Sequence, residues 1–191
     1  MHLVRIVFIV TLAAVAATVQ ADQTTDARAI ASQLIQKLGG ALKQEMARGG
    51  PENAVSVCRD IAPGLAGELS RSSGSRVARV SLKVRNPLLG QPDTWEQQVL
   101  ADFDRRAASG EKAELLEHAE IVEEPQGRYF RYMKALPVQP LCLSCHGGDE
   151  AVAPQVKAKL ALEYPHDRAF GYVLGQIRGA VTIKQPMAAG Q

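Results

Sequence analysis

Two cysteines and a histidine occur within five consecutive residues, in the string CLSCH from Cys142 to His146. The chain has three cysteines in all, so this string holds two of them and leaves Cys58 far away in the sequence. A cluster of thiols and an imidazole forms a disulfide, binds a metal or attaches a cofactor, and each of these ties the surrounding chain into one arrangement. The rest of the sequence must therefore form a fold that holds this cluster in place.

The N-terminus has the layout of a secretory signal peptide. A cation at Arg5 precedes an apolar stretch from Ile6 to Val19, and a small residue follows at Ala21. This layout predicts cleavage after Ala21, with residues 1–21 as the signal peptide and residues 22–191 as the mature domain. An uncleaved membrane anchor is the alternative, but the apolar stretch is shorter than the ~20 residues that span a bilayer. We expect a periplasmic protein without stable membrane insertion.

The size and charge of the chain narrow its class. Its 191 residues are enough for one well-packed domain and too few for two domains of ordinary size. Lysine and arginine total 22 and aspartate and glutamate total 20, which leaves a net charge of +2. This balance argues against a nucleic-acid-binding protein, which normally carries a strong basic excess.

The first part of the mature chain is predicted to form two helices. Apolar residues recur every four positions across residues 27–46, which is the period of one helix face. The string GGP at residues 49–51 ends this helix, and Pro51 suits the first turn of a second one. Cys58 lies on the apolar face of the second helix, which Pro63 is expected to kink or interrupt.

Alternating apolar and polar residues predict a small antiparallel sheet. One strand covers residues 77–85, two more lie between residues 120 and 138 around an EPQG turn, and a last strand begins near Ile177. Asp93 and Glu96 form a capping-box pattern that opens a helix ahead of the hairpin. The order of these elements predicts an α+β fold.

The string from Cys142 to His146 matches the C-x-x-C-H pattern of c-type haem attachment. At this spacing the two thiols can form thioethers with the vinyl groups of a porphyrin, while the imidazole binds the iron. Three alternatives stay open: a thioredoxin-like redox pair, a zinc site that also uses Cys58, and a disulfide between Cys142 and Cys145. Haem is favoured because no βαβ pattern precedes the string and because adjacent zinc ligands are unusual.

A bound haem needs either a second axial ligand or an open site on its iron. The candidates for this ligand are Cys58, Met46, Met133, Met187, His118 and His166. An odd cysteine in an exported protein requires an explanation, because oxidising compartments favour the pairing of cysteines. Cys58 is either an iron ligand or a small buried apolar side chain, and both interpretations stay open on pattern alone.

Several spaced strings of the sequence resemble one family. They are AVSVCRDIAP, ARVSLKVRNP, WEQQVLADFDRR, LCLSCHG and YPHDRAFGYVLGQIRGAVTIKQP. Together they run from the first helix to the last strand and resemble a family of exported c-type haem domains with a PAS-like fold, first catalogued as a domain of unknown function. The resemblance implies a PAS-like antiparallel sheet, a long N-terminal helix and one covalent haem.

The resemblance also implies roles for individual residues. Cys142 and Cys145 would carry the porphyrin, and His146 would be the proximal iron ligand. Cys58 would be the other axial ligand, bound as a thiolate and thereby kept from disulfide exchange.

Two functions fit this resemblance. Domains of the family often lie at the sensing end of larger signalling proteins, so we expect a freestanding redox or small-gas sensor that responds to nitric oxide or carbon monoxide. Such a sensor would signal to a protein partner that the sequence does not identify. The alternative is a low-potential electron-transfer cytochrome. We do not expect an enzyme, because no general base or nucleophile accompanies the cluster.

Three basic residues share one face of the strand predicted over residues 77–85. They are Arg79, Lys83 and Arg85. Arg79 and Arg85 are candidates to neutralise the haem propionates, since the fork of a guanidinium group matches a carboxylate. A solvated basic strand face is the alternative.

Overall fold

A long N-terminal helix leads into the rest of the fold. In the computed structural model, which describes residues 3–188 and their side chains from residue 21 onward, helix α1 covers Leu3–Ser56. The helix changes direction at Gly49 and Gly50, and the φ of 69° at Gly50 lies in the left-handed region that favours glycine. The helix break predicted from the string GGP is confirmed.

A π-helical turn joins α1 to the next helix. The turn covers Val57–Ile61, and helix α2 covers Ala62–Ser73. Pro63 lies in the first turn of α2 and has no N–H to continue an α-helical ladder, so the interruption expected at this proline takes the form of a wider turn. Cys58 belongs to this π-helical turn.

Four antiparallel strands form one sheet in the order β1-β4-β3-β2. The strands are β1 Arg76–Val80, β2 Glu117–Glu124, β3 Gly127–Pro137 and β4 Ile177–Pro186. The other α-helices of the described chain are α3 Pro87–Gly90, α4 Thr94–Ala108, α5 Leu143–His146 and α6 Pro154–Glu163. The predicted α+β fold, with a long N-terminal helix and an antiparallel sheet, is confirmed.

Helices cover both faces of the sheet. Leu34 of α1 packs on one face with Phe130 of β3, and both side chains are fully buried. Phe103 of α4 packs on the other face with Met133, because side chains three positions apart on a strand point to opposite faces. The apolar side chains of the sheet thus form two cores, one under α1 and α2 and one under α4.

Strand β1 is shorter than the sequence pattern predicts, since it ends at Val80 and does not continue to residue 85. Ser81 ends it, because its hydroxyl lies 2.8 and 3.0 Å from two carbonyl oxygens, one in β4 and one in the loop that follows. Lys83 and Arg85 therefore lie in that loop. The prediction that Arg79, Lys83 and Arg85 share a strand face is wrong.

The predicted signal peptide, residues 1–21, falls almost entirely outside the residues whose side chains are described, so it stays a prediction. Within the described part of the chain, no helix is both long enough and apolar enough to cross a membrane.

Candidate functional site

A cavity of about 450 Å³ lies between α1, α2, β1 and the segment that carries the CLSCH string. Every residue that the sequence indicated as cofactor-binding lines it. These residues are Cys58, Arg79, Arg85, Cys142, Cys145 and His146. The fold therefore brings the distant Cys58 to the same cavity as the cluster.

The CLSCH string folds as one tight helical segment. A 3-10 turn over Pro140–Cys142 runs directly into α5, so the two cysteines of the string are close to one helical turn apart. The backbone N–H of Gln139 donates to Cys142 Sγ at 3.4 Å. Gly147 follows the histidine, and a Cβ at this position would lie 2.6 Å from a backbone oxygen of α5. Only glycine fits there without a shift of the string.

Arg85 ties this segment to a distant loop. Its Nη2 donates to the carbonyl of Cys145 at 2.6 Å, and its Nε donates to Asp167 Oδ2 at 2.9 Å. The other carboxylate oxygen of Asp167 accepts the backbone N–H of Ala169 at 2.7 Å. Arg85 is 7% exposed, so the alternative of a solvated basic residue is wrong for Arg85. Its proposed contact with a propionate stays a prediction.

The imidazole of His146 is held with one nitrogen free to accept. Its Nδ1 lies 2.7 Å from the carbonyl oxygen of Ala169, and because a carbonyl only accepts, Nδ1 carries the hydrogen. The lone pair of Nε2 is then available, as a metal-bound histidine requires. Burial, followed by the positive charges of Arg178 and Arg85, holds the pKa of His146 well below its usual range. The ring is neutral at neutral pH.

Arg178 is a cavity residue that the sequence pattern did not indicate. Its Nε lies 3.2 Å from Nδ1 and 3.3 Å from Nε2 of His146, and only Nε2 can accept a hydrogen bond. Its Nη1 donates to Ser81 Oγ at 2.9 Å. Burial lowers the pKa of Arg178, and the positive charges of Arg85 and Arg79 lower it further. Arg178 and Asp167 both lie in the last string that carried the family resemblance, but the letters of a string do not show what its side chains contact.

Cys58 is half-buried on the cavity wall. The π-helical turn that carries it is anchored at its surface side, where Arg59 pairs with Asp60 and with Glu163 at the end of α6. Tyr164 lines the same cavity, and burial is the main cause that raises its pKa to about 12. Cys58 therefore lies on a cavity wall and not inside a closed apolar core.

The three cysteines are free thiols in this structure. Burial raises the pKa of Cys145, and Arg85 opposes that rise, so Cys145 is protonated at neutral pH. Within residues 21–188, no three side chains of histidine, cysteine, aspartate or glutamate are arranged to hold a metal ion by themselves.

The other candidate axial ligands are spread over the fold. Met46 lines the cavity together with Cys58. Met133 is fully buried in the core under α4. His118, on β2, contacts the ring of Trp95 in α4. His166 is exposed, and Met187 packs against the core under α1. The structure thus leaves Met46 as the alternative to Cys58 in the cavity.

A family model and a solved structure relate this chain to the same protein family. A family model described as Tll0287-like matches residues 9–186. The chain belongs to the Tll0287-like family. The crystal structure of the cyanobacterial heme-protein Tll0287 matches 87% of this chain and 96% of its own, with 25% identity and a TM-score of 0.66. The comparison with curated proteins finds no match. The family match spans both the helical and the sheet part of the fold, so the cavity lies inside the Tll0287-like region.

Proposed function

We propose that this protein is an exported c-type haem protein that holds one covalent haem in the 450 Å³ cavity. One observation carries the proposal: two thiols of a C-x-x-C-H string, an imidazole with an available Nε2 and a third sulfur line one cavity. The Tll0287-like relative of known structure is a heme-protein, which supports the same cofactor here. The PAS-like relationship of the fold and the periplasmic location belong to this proposal.

The cavity suits such a cofactor in size and in chemistry. Cavities that hold cofactors and other small ligands commonly measure about 300–1,000 Å³ and are mostly apolar. Apolar side chains of α1 and α2, among them Leu42 and Ala62, form one wall, and charged groups stand at Arg79 and Arg178. When bound, the haem supplies two vinyl groups for attachment and an iron that carries one electron.

Each residue of the site has a distinct role in this proposal. Cys142 and Cys145 would each add their S–H across one vinyl group, so that the sulfur bonds one vinyl carbon and the hydrogen goes to the other. His146 would hold the iron through Nε2, and the carbonyl of Ala169 holds the ring in that orientation. Cys58 would hold the iron as a thiolate, whose negative charge favours the ferric state.

The position of Cys58 supports a sensor. A thiolate holds ferric iron more tightly than ferrous iron, so Cys58 would be held less firmly in the reduced protein, which would leave room for nitric oxide or carbon monoxide. A π-helical turn is a rare, irregular element that often occurs at functional sites, and this one connects directly to α1 and α2. Movement of Cys58 would reach both helices, which is how a local change at a cofactor becomes a signal to a protein partner.

The alternative is a low-potential electron-transfer cytochrome, in which both axial ligands stay bound in both oxidation states. We propose no enzymatic activity. Ferric and ferrous absorption spectra of the haem-loaded protein, with and without nitric oxide, separate the two functions. Binding of nitric oxide by the ferrous form would support the sensor. Six-coordinate spectra that do not change when nitric oxide is added would support the carrier. Absence of covalent haem from the purified protein would refute both functions.

The axial role of Cys58 is tested by Cys58→Ser, with Met46→Leu as the matched control on the same cavity wall. Loss of the thiolate should remove its signature from the ferric electron paramagnetic resonance spectrum and raise the reduction potential. Met46→Leu should change neither. If Cys58 only fills space, its replacement lowers the free energy of unfolding by about 1 kcal/mol and leaves the spectrum unchanged. A changed spectrum in Met46→Leu and not in Cys58→Ser would assign the ligand to Met46.

A further inference from the structure

Three guanidinium groups line the cavity, but the described residues offer a carboxylate to one of them. Arg85 pairs with Asp167 at 2.9 Å. Arg79 and Arg178 form no ion pair with any side chain among residues 21–188. No carboxylate of the described residues therefore compensates these two positive charges on the cavity wall.

Both charges face the cavity that His146 lines. Arg178 Nε lies 3.2 Å from Nδ1 and 3.3 Å from Nε2 of the imidazole, and Arg79 lines the same cavity from β1. Cationic groups at a partly desolvated site are costly unless an anion neutralises them. The arrangement thus matches a ligand that brings two negative groups into this cavity.

We propose that Arg79 and Arg178 bind the two propionates of the haem, while Arg85 holds the polypeptide that carries the cysteines. This inference rests on the proposed haem function and specifies how the same site recognises its cofactor. The sequence predicted Arg79 and Arg85 as the residues that contact the propionates. The inference assigns this role to Arg178 and not to Arg85, because Arg85 already donates hydrogen bonds to Asp167 and to the carbonyl of Cys145.

Arg178 contacts the imidazole in this structure. Its Nε lies 3.2 Å from Nδ1 and 3.3 Å from Nε2 of His146, beside the nitrogen that would hold the iron. A propionate would offer this guanidinium group a stronger, charge-assisted acceptor than the imidazole does. Its other contact, to Ser81 Oγ at 2.9 Å, holds the side chain at the cavity edge.

The test uses the haem-loaded protein and its Arg79→Gln and Arg178→Gln variants. Lys83→Gln is the control, because Lys83 is an exposed cation in the loop after β1 and does not line this cavity. The reduction potential is measured between about pH 5 and pH 9, and the propionate bending bands are recorded by resonance Raman spectroscopy.

A propionate paired with arginine stays ionised across this range, so the parent potential should not change with pH in its acid half. Each glutamine variant should lower the potential, because a positive charge near the haem favours the reduced state. Each should also introduce a pH dependence in acid and shift the propionate band. Arg178→Lys should retain the flat pH profile, and Lys83→Gln should leave both the profile and the band as in the parent.

The outcomes separate this inference from the function on which it rests. If the parent carries haem and neither glutamine variant alters the band or the pH profile, the propionate assignment is overturned and the haem function stands. If Lys83→Gln alters them equally, the effect comes from distant charge and the assignment is likewise overturned. A parent protein without haem overturns both.

Discussion

Replacement of Arg85 by methionine should destabilise the protein more than any loss of a surface charge. Methionine keeps much of the side-chain volume but removes every hydrogen bond that the guanidinium group makes. It leaves the Asp167 carboxylate, which is 14% exposed, without its ion-pair partner. Removing one member of a buried ion pair costs about 3–5 kcal/mol, since the remaining charge is left desolvated.

The structure places Arg85→Met in the lower part of that range. Asp167 keeps one hydrogen bond, from the backbone N–H of Ala169 at 2.7 Å, which offsets part of the loss. The carbonyl of Cys145 loses a charge-assisted hydrogen bond of 2.6 Å, and such a bond is worth about 1.5–3 kcal/mol. Because these effects are not independent, we expect a loss of about 3–4 kcal/mol in the free energy of unfolding.

Urea unfolding of the haem-loaded protein measures this loss. The control is Arg105→Met, which removes an exposed ion pair with Asp102 and should cost less than about 1 kcal/mol. The double variant Arg85→Met with Asp167→Asn should be more stable than the sum of the single losses predicts, because no unpaired carboxylate remains. A loss for Arg85→Met no larger than that for Arg105→Met would refute the role assigned to this contact.

Two further predictions concern attachment and pH. Cys142→Ala or Cys145→Ala should weaken covalent retention of haem, and the double variant should abolish it, because each thioether is a separate link; haem that stays with the double variant through acid–acetone extraction contradicts this. The carboxylate of Glu117 is hydrogen-bonded to Arg28 of α1, which lowers its pKa below the usual 4.5. A carboxylate with a lowered pKa in the folded state stabilises the protein above its unfolded-state pKa, and this stabilisation is lost as pH falls through the folded-state value. Glu117→Gln should therefore flatten the decline of stability with pH below about 4.5, as measured by urea unfolding at several pH values; a decline as steep as in the parent would show that the contact contributes nothing.

Local patterns predicted the local structure well. The capping box at the start of α4 is present, with Asp93 accepting the backbone N–H of Glu96 and Glu96 accepting that of Asp93. The hairpin around the EPQG turn also forms, because strand alternation and turn residues act between near neighbours in the chain. The C-x-x-C-H string likewise indicated its chemistry, since its five residues form one helical segment.

The prediction from apolar and polar alternation was wrong where a contact with a distant strand ended β1. The alternation of residues 77–85 predicts one strand, but the contact of Ser81 with β4 ends it at Val80. Arg85 was thereby moved from a predicted strand face into a buried ion pair. No alternation or spacing within a short window carries information about such a partner.

The sequence by itself determined which reactive groups the protein carries, namely a C-x-x-C-H string and one further thiol. It also determined most helices and strands, because their apolar residues recur at a regular period. Only the tertiary structure decided that Cys58 and His146 line one cavity, that Nδ1 of His146 is the protonated nitrogen, and that Arg178 stands beside it. The physical reason is that side-chain type and short-range periodicity are local properties. A cavity wall and the charges that face one another across it arise only when segments distant in the chain pack together.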